Sequence, residues 1–159
     1  MSLAIVTPVL NGGIRFNEML TSVKMLADEI IIVDGGSSDN SRLMAEQAGA
    51  KVISTTKGRG LQCAAGATYV TADWILFLHA DTTLTEEARR AVISHIRRGS
   101  KGDCAWYFKL SFDDDLAISS VISRLANWRS RFFGLPYGDQ GLLIHRDFYN
   151  ELGGYRVLP

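Results

Sequence analysis

Charge of one sign, a cysteine framework and long apolar runs are all missing from this chain. Lys+Arg and Asp+Glu each number 17 in 159 residues, so no overall field draws in nucleic acid, and any anion site must be local. The two cysteines, Cys63 and Cys104, match no zinc or redox spacing and read as free thiols of a cytoplasmic protein. No basic segment followed by an apolar stretch opens the sequence, so no signal peptide is read. No uninterrupted apolar run approaches the ~18 residues of a membrane span. Internal repeats and low-complexity tracts are absent as well. With 47% hydrophobic residues, the chain reads as one domain over 1–159, long enough to bury a core.

What is present is alternation. Leu3–Thr7 reads as a strand closed by Pro8, followed by a helix from about Gly13 with Phe16, Met19, Leu20, Val23 and Leu26 on one face. Glu29–Asp34 is a second strand, feeding a helix that starts among Ser37, Ser38 and Asp39 and stops at Gly49. Lys51–Thr55, a helix over Leu61–Val70, and a strand over Asp73–Leu78 continue the order. Thr83 and Glu86 have the spacing of a capping box for a fourth helix, which buries Ala88, Ala91, Val92, His95 and Ile96. Such a βαβαβαβα run predicts an α/β fold, a parallel sheet with right-handed crossovers and flanking helices. Beyond Gly99 the pattern changes. Cys104–Leu110 reads as a strand of different orientation, Leu116–Phe132 as a helix burying Ile118, Val121, Ile122 and Leu125, and Gly134–Gln140 as a loop. Leu142–His145 and Arg146–Leu152 follow as a short strand and helix.

Two apolar strands each deliver an acid at their carboxyl end. Ile30-Ile31-Ile32-Val33 leads to Asp34, and Ile75-Leu76-Phe77-Leu78-His79-Ala80 leads to Asp81. Ligands of open α/β sheets bind beyond those ends, so both acids would share one rim. Asp34 can accept hydrogen bonds from a nucleoside base or ribose, and Gly35 and Gly36 let a ligand approach the backbone. The serines and Asp39 beyond them are explained by helix capping alone. His79 and Asp81, at i and i+2, can converge on one cation; Mg²⁺ needs few protein oxygens when a diphosphate supplies the rest, and Mn²⁺ tolerates an imidazole. Lys57-Gly58-Arg59-Gly60 joins two cations, two glycines and a helix start into a candidate anion site, with Arg59 the leading residue. Arg124, Arg129 and Arg131 give the 116–132 helix a basic face, a solvated surface or a contact for an anionic ligand or membrane. In Tyr137-Gly138-Asp139-Gln140-Gly141, Asp139 can bind an acceptor hydroxyl or act as general base.

Five segments, in order, resemble the inverting glycosyltransferases of family 2 with the GT-A fold. They are Thr7-Pro8-Val9-Leu10-Asn11, Val33-Asp34-Gly35-Gly36-Ser37, Gly58-Arg59-Gly60-Leu61-Gln62, Leu76-Phe77-Leu78-His79-Ala80-Asp81-Thr82 and Pro136-Tyr137-Gly138-Asp139-Gln140-Gly141. The His-Ala-Asp-Thr and Pro-Tyr-Gly-Asp-Gln-Gly motifs are similar to those of a bacterial subgroup. The resemblance implies a Rossmann-like, mainly parallel sheet, a nucleotide-sugar donor (a UDP-sugar foremost), a divalent metal, Mn or Mg, and transfer to an acceptor hydroxyl with inversion. It places Pro8, Leu10, Asn11, Asp34, Gly35, Arg59 and Asp81 at the donor, Asp81 with His79 at the metal, and Tyr137, Asp139 and Gln140 on the acceptor side. Residues 1–99 would form the nucleotide-sugar half and 100–159 the start of the acceptor half.

The pattern departs from the family in two places. His79 stands where the Asp-x-Asp metal motif has its first acid. The chain also reaches Pro159 without the Glu-Asp motif that supplies the family's general base, so a continuation is expected, with Asp139 as the substitute base otherwise. The alternative readings are a catalytically incomplete nucleotide-binding module and a sugar nucleotidyltransferase. The latter would carry a Gly-rich basic loop after the first strand, which Asn11-Gly12-Gly13-Ile14-Arg15 imitates loosely. Sugar, nucleobase, acceptor and oligomeric state are not written in the sequence.

Overall fold

The computed structural model describes residues 1–98, 104–110, 122–125, 127–130 and 140–156. Four parallel strands form the frame: β1 (Leu3–Val9), β2 (Glu29–Asp34), β3 (Lys51–Ser54) and β4 (Trp74–Phe77). Helices α1 (Gly13–Val23), α2 (Ser41–Gln47) and α3 (Arg59–Ala67) connect them, and α4 (Glu86–Arg97) follows β4. A short β5 (Ala105–Trp106), β6 (Leu142–His145) and α5 (Arg146–Glu151) complete the described elements. The six strands lie in the order β3-β2-β1-β4-β6-β5, with β6 antiparallel to β4 and β5 antiparallel to β6. The sheet is mixed but mostly parallel, as expected.

β1 is the central strand and all seven of its residues are buried, which is why it is apolar on both faces. One face packs Phe16, Met19 and Leu20 of α1, Ala45 of α2, and Val92 and Ile96 of α4. The other packs Cys63 of α3 and Tyr149 of α5. A Cβ on Gly66 would stand 2.5 Å from Val6 Cγ1 and 2.8 Å from Val33 Cγ2, so glycine lets α3 lie this close to the sheet. Strand lengths are unequal at the carboxyl rim. β4 pairing ends where Phe77 meets Val6, whereas β1 runs three residues further beside β2, to Val9 opposite Asp34.

Several boundaries differ from expectation. Pro8 does not close β1; it lies inside it, opposite Val33. The Val6 carbonyl accepts from Leu78 N–H on the β4 side, and Pro8, two residues on, turns its nitrogen to that same side just past the paired part of β4. Its missing N–H therefore breaks no ladder. The α4 cap is Thr85, whose side chain accepts from Ala88 N–H at 3.2 Å, not Thr83. Leu84 is drawn into the core, which delays the helix start, and Ala91 faces outward. Helix α3 starts two residues earlier and ends three residues sooner than its apolar pattern suggested. β5 is shorter than Cys104–Leu110: Phe108 still donates to the Gln140 carbonyl (2.9 Å), but Gly141 at φ +65° turns its strand away.

In the 116–132 segment, residues 122–125 and 127–130 are helical, while Ile118, Val121 and Arg131 lie outside the described residues. Ile122 and Leu125 are exposed, Leu125 at 61%, rather than buried. The inward side is polar instead. Asn127 binds both main-chain groups of Leu110, and Ser130 donates to Gln140 Oε1 at 2.8 Å. No helix among the described residues is long and apolar enough to cross a membrane.

Candidate functional site

Parallel pairing of β1 with both neighbours puts the ends of β2 and β4 on one rim. Between β1 and β4 the strand order reverses, and the connecting helices split to opposite faces (α1, α2 and α4 against α3). This switch point is where open α/β sheets leave a crevice for ligands. Asp34 stands on one side of it and Asp81 on the other.

Asp34 is 5% exposed and anchored at both ends: Oδ1 accepts from Ser37 N–H at 2.9 Å, and its carbonyl accepts from Thr55 N–H at 2.9 Å. Gly35 donates to the Val9 carbonyl at 2.9 Å. On β1, Pro8 is buried, whereas Leu10 and Asn11 are exposed on the loop. Asn11 sits at φ 53°, a conformation asparagine tolerates better than most residues.

Ser37, Ser38 and Asp39 do not serve as the cap expected of them. The N-cap of α2 is Asn40, without a side-chain cap bond, and of the three only Asp39, through Oδ1, reaches a helical N–H, that of Ser41 at 3.0 Å. The N–H groups of Asn11, Gly12 and Gly13 donate to Ser37 Oγ (2.9 Å), Ser41 Oγ (2.9 Å) and Asp39 Oδ2 (3.1 Å). Asn11 Oδ1 in return accepts from Ser38 N–H at 2.8 Å. The β1–α1 and β2–α2 loops are thus clasped together. Hydrogen bonding from the Ser41 side chain, foremost, holds the Asp39 carboxyl below the usual carboxylate range. The three N–H groups that a phosphate-cradling loop would offer are committed to these side chains, which disfavours the nucleotidyltransferase reading.

His79 and Asp81 come together just beyond β4, with His79 Nδ1 hydrogen-bonded to Asp81 Oδ1. Asp81 is solvent-accessible and His79 half-buried. One carboxylate and one imidazole are a fitting partial donor set for Mn²⁺ or Mg²⁺ whose other ligands come from phosphate and water. Among the described residues no group of three or more His, Cys, Asp or Glu gathers, so a cation here would draw the rest from its ligand.

Arg59 opens α3, exposed at its first turn, with Lys57 and Gly58 before it. Tyr137 and Asp139 lie outside the described residues. Gln140 is buried, its Nε2 donating to Phe108 O (3.0 Å) and Asn127 Oδ1 (3.3 Å). Cys63 and Cys104 are both free thiols; burial pushes the Cys63 thiol up to about 12.

Gln62 had no role assigned from its sequence, yet it lies directly beneath this rim, 3% exposed. Its signal was a polar residue on the buried stripe of an amphipathic helix, in line with Cys63 and Gly66.

A mostly parallel sheet of this order, with acids on either side of the β1/β4 crevice, is the GT-A arrangement of a glycosyltransferase domain. The chain belongs to Glycosyl transferase family 2, whose family model matches residues 4–153. It is 38% identical over 78 residues to an uncharacterized glycosyltransferase of Rickettsia bellii, covering 48% of this chain and 26% of that protein. With the 4,4'-diaponeurosporenoate glycosyltransferase of Staphylococcus haemolyticus it shares 30% identity over 113 residues, 64% of this chain and 30% of that one. The chain thus spans well under half the length of these curated relatives. Among solved structures, glucosyl-3-phosphoglycerate synthase of Mycobacterium tuberculosis, in complex with Mn²⁺ and UDP-glucose, superposes with a TM-score of 0.65. Sequence identity there is 17%, over 92% of this chain and 56% of that one. A mannosyltransferase of Pyrobaculum calidifontis, in complex with GDP-Man and Mn²⁺, gives 0.69 at 14% identity, over 96% and 47%.

Proposed function

We propose that this domain takes a sugar from a nucleotide-sugar donor, a UDP-sugar foremost, and passes it to an acceptor hydroxyl with inversion at the anomeric carbon. The observation that carries the reading is the placement of Asp34 and the His79–Asp81 pair on opposite sides of the β1/β4 crevice. Asp34, fixed by Ser37 N–H, accepts from the base or ribose, while Pro8, Leu10, Asn11 and the main chain of Gly35 line the nucleoside end. Asp81, with His79 beside it, would hold a divalent cation, which when bound neutralises the charge developing on the leaving diphosphate. Arg59 adds positive charge at the diphosphate end. Asp139 in the Tyr137–Gln140 loop is the proposed base that takes the acceptor proton, with Tyr137 beside it on the acceptor side. Complexes of Mn²⁺ with UDP-glucose or GDP-Man in the structural neighbours support the donor and metal classes.

Cytoplasm is the proposed location, since both thiols are unpaired. Contact with a membrane-linked acceptor would run through the basic residues of the helical stretches 122–125 and 127–130, Arg124 being exposed there. The test is calorimetric titration with UDP, then GDP, with and without Mn²⁺, beside Asp81→Ala. Metal-dependent binding that the substitution removes supports the donor site; no binding by folded protein overturns it. Binding without sugar transfer would favour the incomplete nucleotide-binding module.

A further inference from the structure

The Gln62 amide faces two strand ends and a loop at once. Nε2 donates to the carbonyls of Val9 (3.0 Å) and Val33 (2.7 Å), and Oε1 accepts from Gly58 N–H at 3.2 Å. Two carbonyls and one N–H leave the amide a single orientation, because carbonyls only accept. Val9 is the last residue of β1, Val33 immediately precedes Asp34, and Gly58 stands between Lys57 and Arg59. A Cβ on Gly35 would lie 3.1 Å from Nε2, so glycine at that position makes room for the amide. Gly58, at φ +151°, holds a conformation that side chains rarely adopt, and its N–H is turned to the same amide. A leucine would fill a similar volume. It would, however, take a bond from the Val9 and Val33 carbonyls and from Gly58 N–H, so the amide contributes stability as well as fixing geometry.

We propose that Gln62 is the positioning residue of the donor site: it locks the Asp34 strand end, where the nucleoside binds, to the Lys57–Arg59 loop, where the diphosphate binds. The inference rests on the donor-site reading above. Its consequence is that the two ends of the donor are recognised as one unit, so a ligand reaching both gains from Gln62 and a ligand reaching only one gains less.

The test compares wild type, Gln62→Leu and Gln62→Glu for binding of UDP and of uridine by calorimetry with Mn²⁺, each first shown to be folded. Gln62→Leu is expected to weaken UDP about ten-fold and uridine distinctly less. In Gln62→Glu the ionised carboxylate repels both carbonyls, whereas its protonated form has the shape of glutamine and keeps one donor. UDP affinity of Gln62→Glu, taken as a ratio to wild type at the same pH, is therefore expected to recover between pH 8 and pH 6, with no recovery in Gln62→Leu. Should Gln62→Leu fail to fold, the pH ratio of Gln62→Glu decides alone. Unchanged UDP affinity in the variants overturns the proposal. So does equal loss for UDP and uridine without pH recovery, which would make Gln62 a fold support only. Wild type that binds neither UDP nor GDP overturns the donor-site reading itself, and that result is distinguishable from the others.

Discussion

Two residues apart on the chain, His79 and Asp81 meet side chain to side chain, the imidazole Nδ1 hydrogen-bonded to the carboxylate. The contact ties Asp81 to His79 and, at the proposed cation site, puts a softer donor where a second acid would attract hard cations more strongly. Replacing the imidazole should therefore change metal preference more than nucleotide preference. His79→Asp is expected to lower the Mg²⁺ concentration needed for half-maximal UDP binding about ten-fold, with a smaller change for Mn²⁺. Titration of each metal at fixed UDP measures this.

Asp34→Ala removes the acceptor proposed for the nucleoside. Loss of a hydrogen bond to a charged group corresponds to a weakening of about ten- to hundred-fold. Because the change sits at the nucleoside end, uridine and UDP should weaken alike, in contrast to Gln62→Leu. Calorimetry with both ligands separates the two patterns.

Gly66→Ala would drive a methyl into Val6 and Val33, both on rigid central strands. The expected cost is about 1–3 kcal/mol, read as a fall of several degrees in Tm by calorimetric or circular-dichroism melting. A fully tolerated alanine would show that α3 can lift off the sheet.

His95 lies between Trp74, met edge-on (ring centroids 5.2 Å apart), and Trp106, met at a tilt (4.3 Å), with its Nε2 buried and unpaired. Burial first, and the Arg98 charge second, hold its pKa below the usual histidine value. As pH falls below about 6.5 the unfolded chain takes up a proton before the folded one does, so this part of the stability, present at neutral pH, is lost on acidification. His95→Phe keeps a ring between the tryptophans and removes the titration. Its Tm should fall less than wild type's between pH 7.5 and pH 5.5.

How far the sequence carried depended on the kind of force involved. The apolar runs ending in Asp34 and Asp81 announced buried parallel strands, and the Phe16–Val23 stripe announced α1, because burial imprints its own period. Pro8 and Thr83 misled because turn and cap signals depend on what a neighbouring strand or the core does: β4 stops short of Pro8, and Leu84 is pulled inward. Long-range polar contacts were the least legible. Ile122 and Leu125 looked like an inner stripe, yet the inner side belongs to Asn127 and Ser130, whose partners lie 17 and 10 residues away. Gln62 is the same case at the site, since its three main-chain partners come from two strand ends and a loop.

The unequal strand lengths carry a further consequence. Three residues of β1 and β2 beyond the paired part of β4 make a step about 10 Å high in the floor of the molecule. The recess is a matter of where strands stop, not of a hollow among packed side chains. Core substitutions can then drift without altering its depth, while pairing extended by three residues at the end of β4 would fill it in. Indels at that single strand end, rather than changes of residue type inside, are the route by which such a domain would most readily acquire or abandon its ligand.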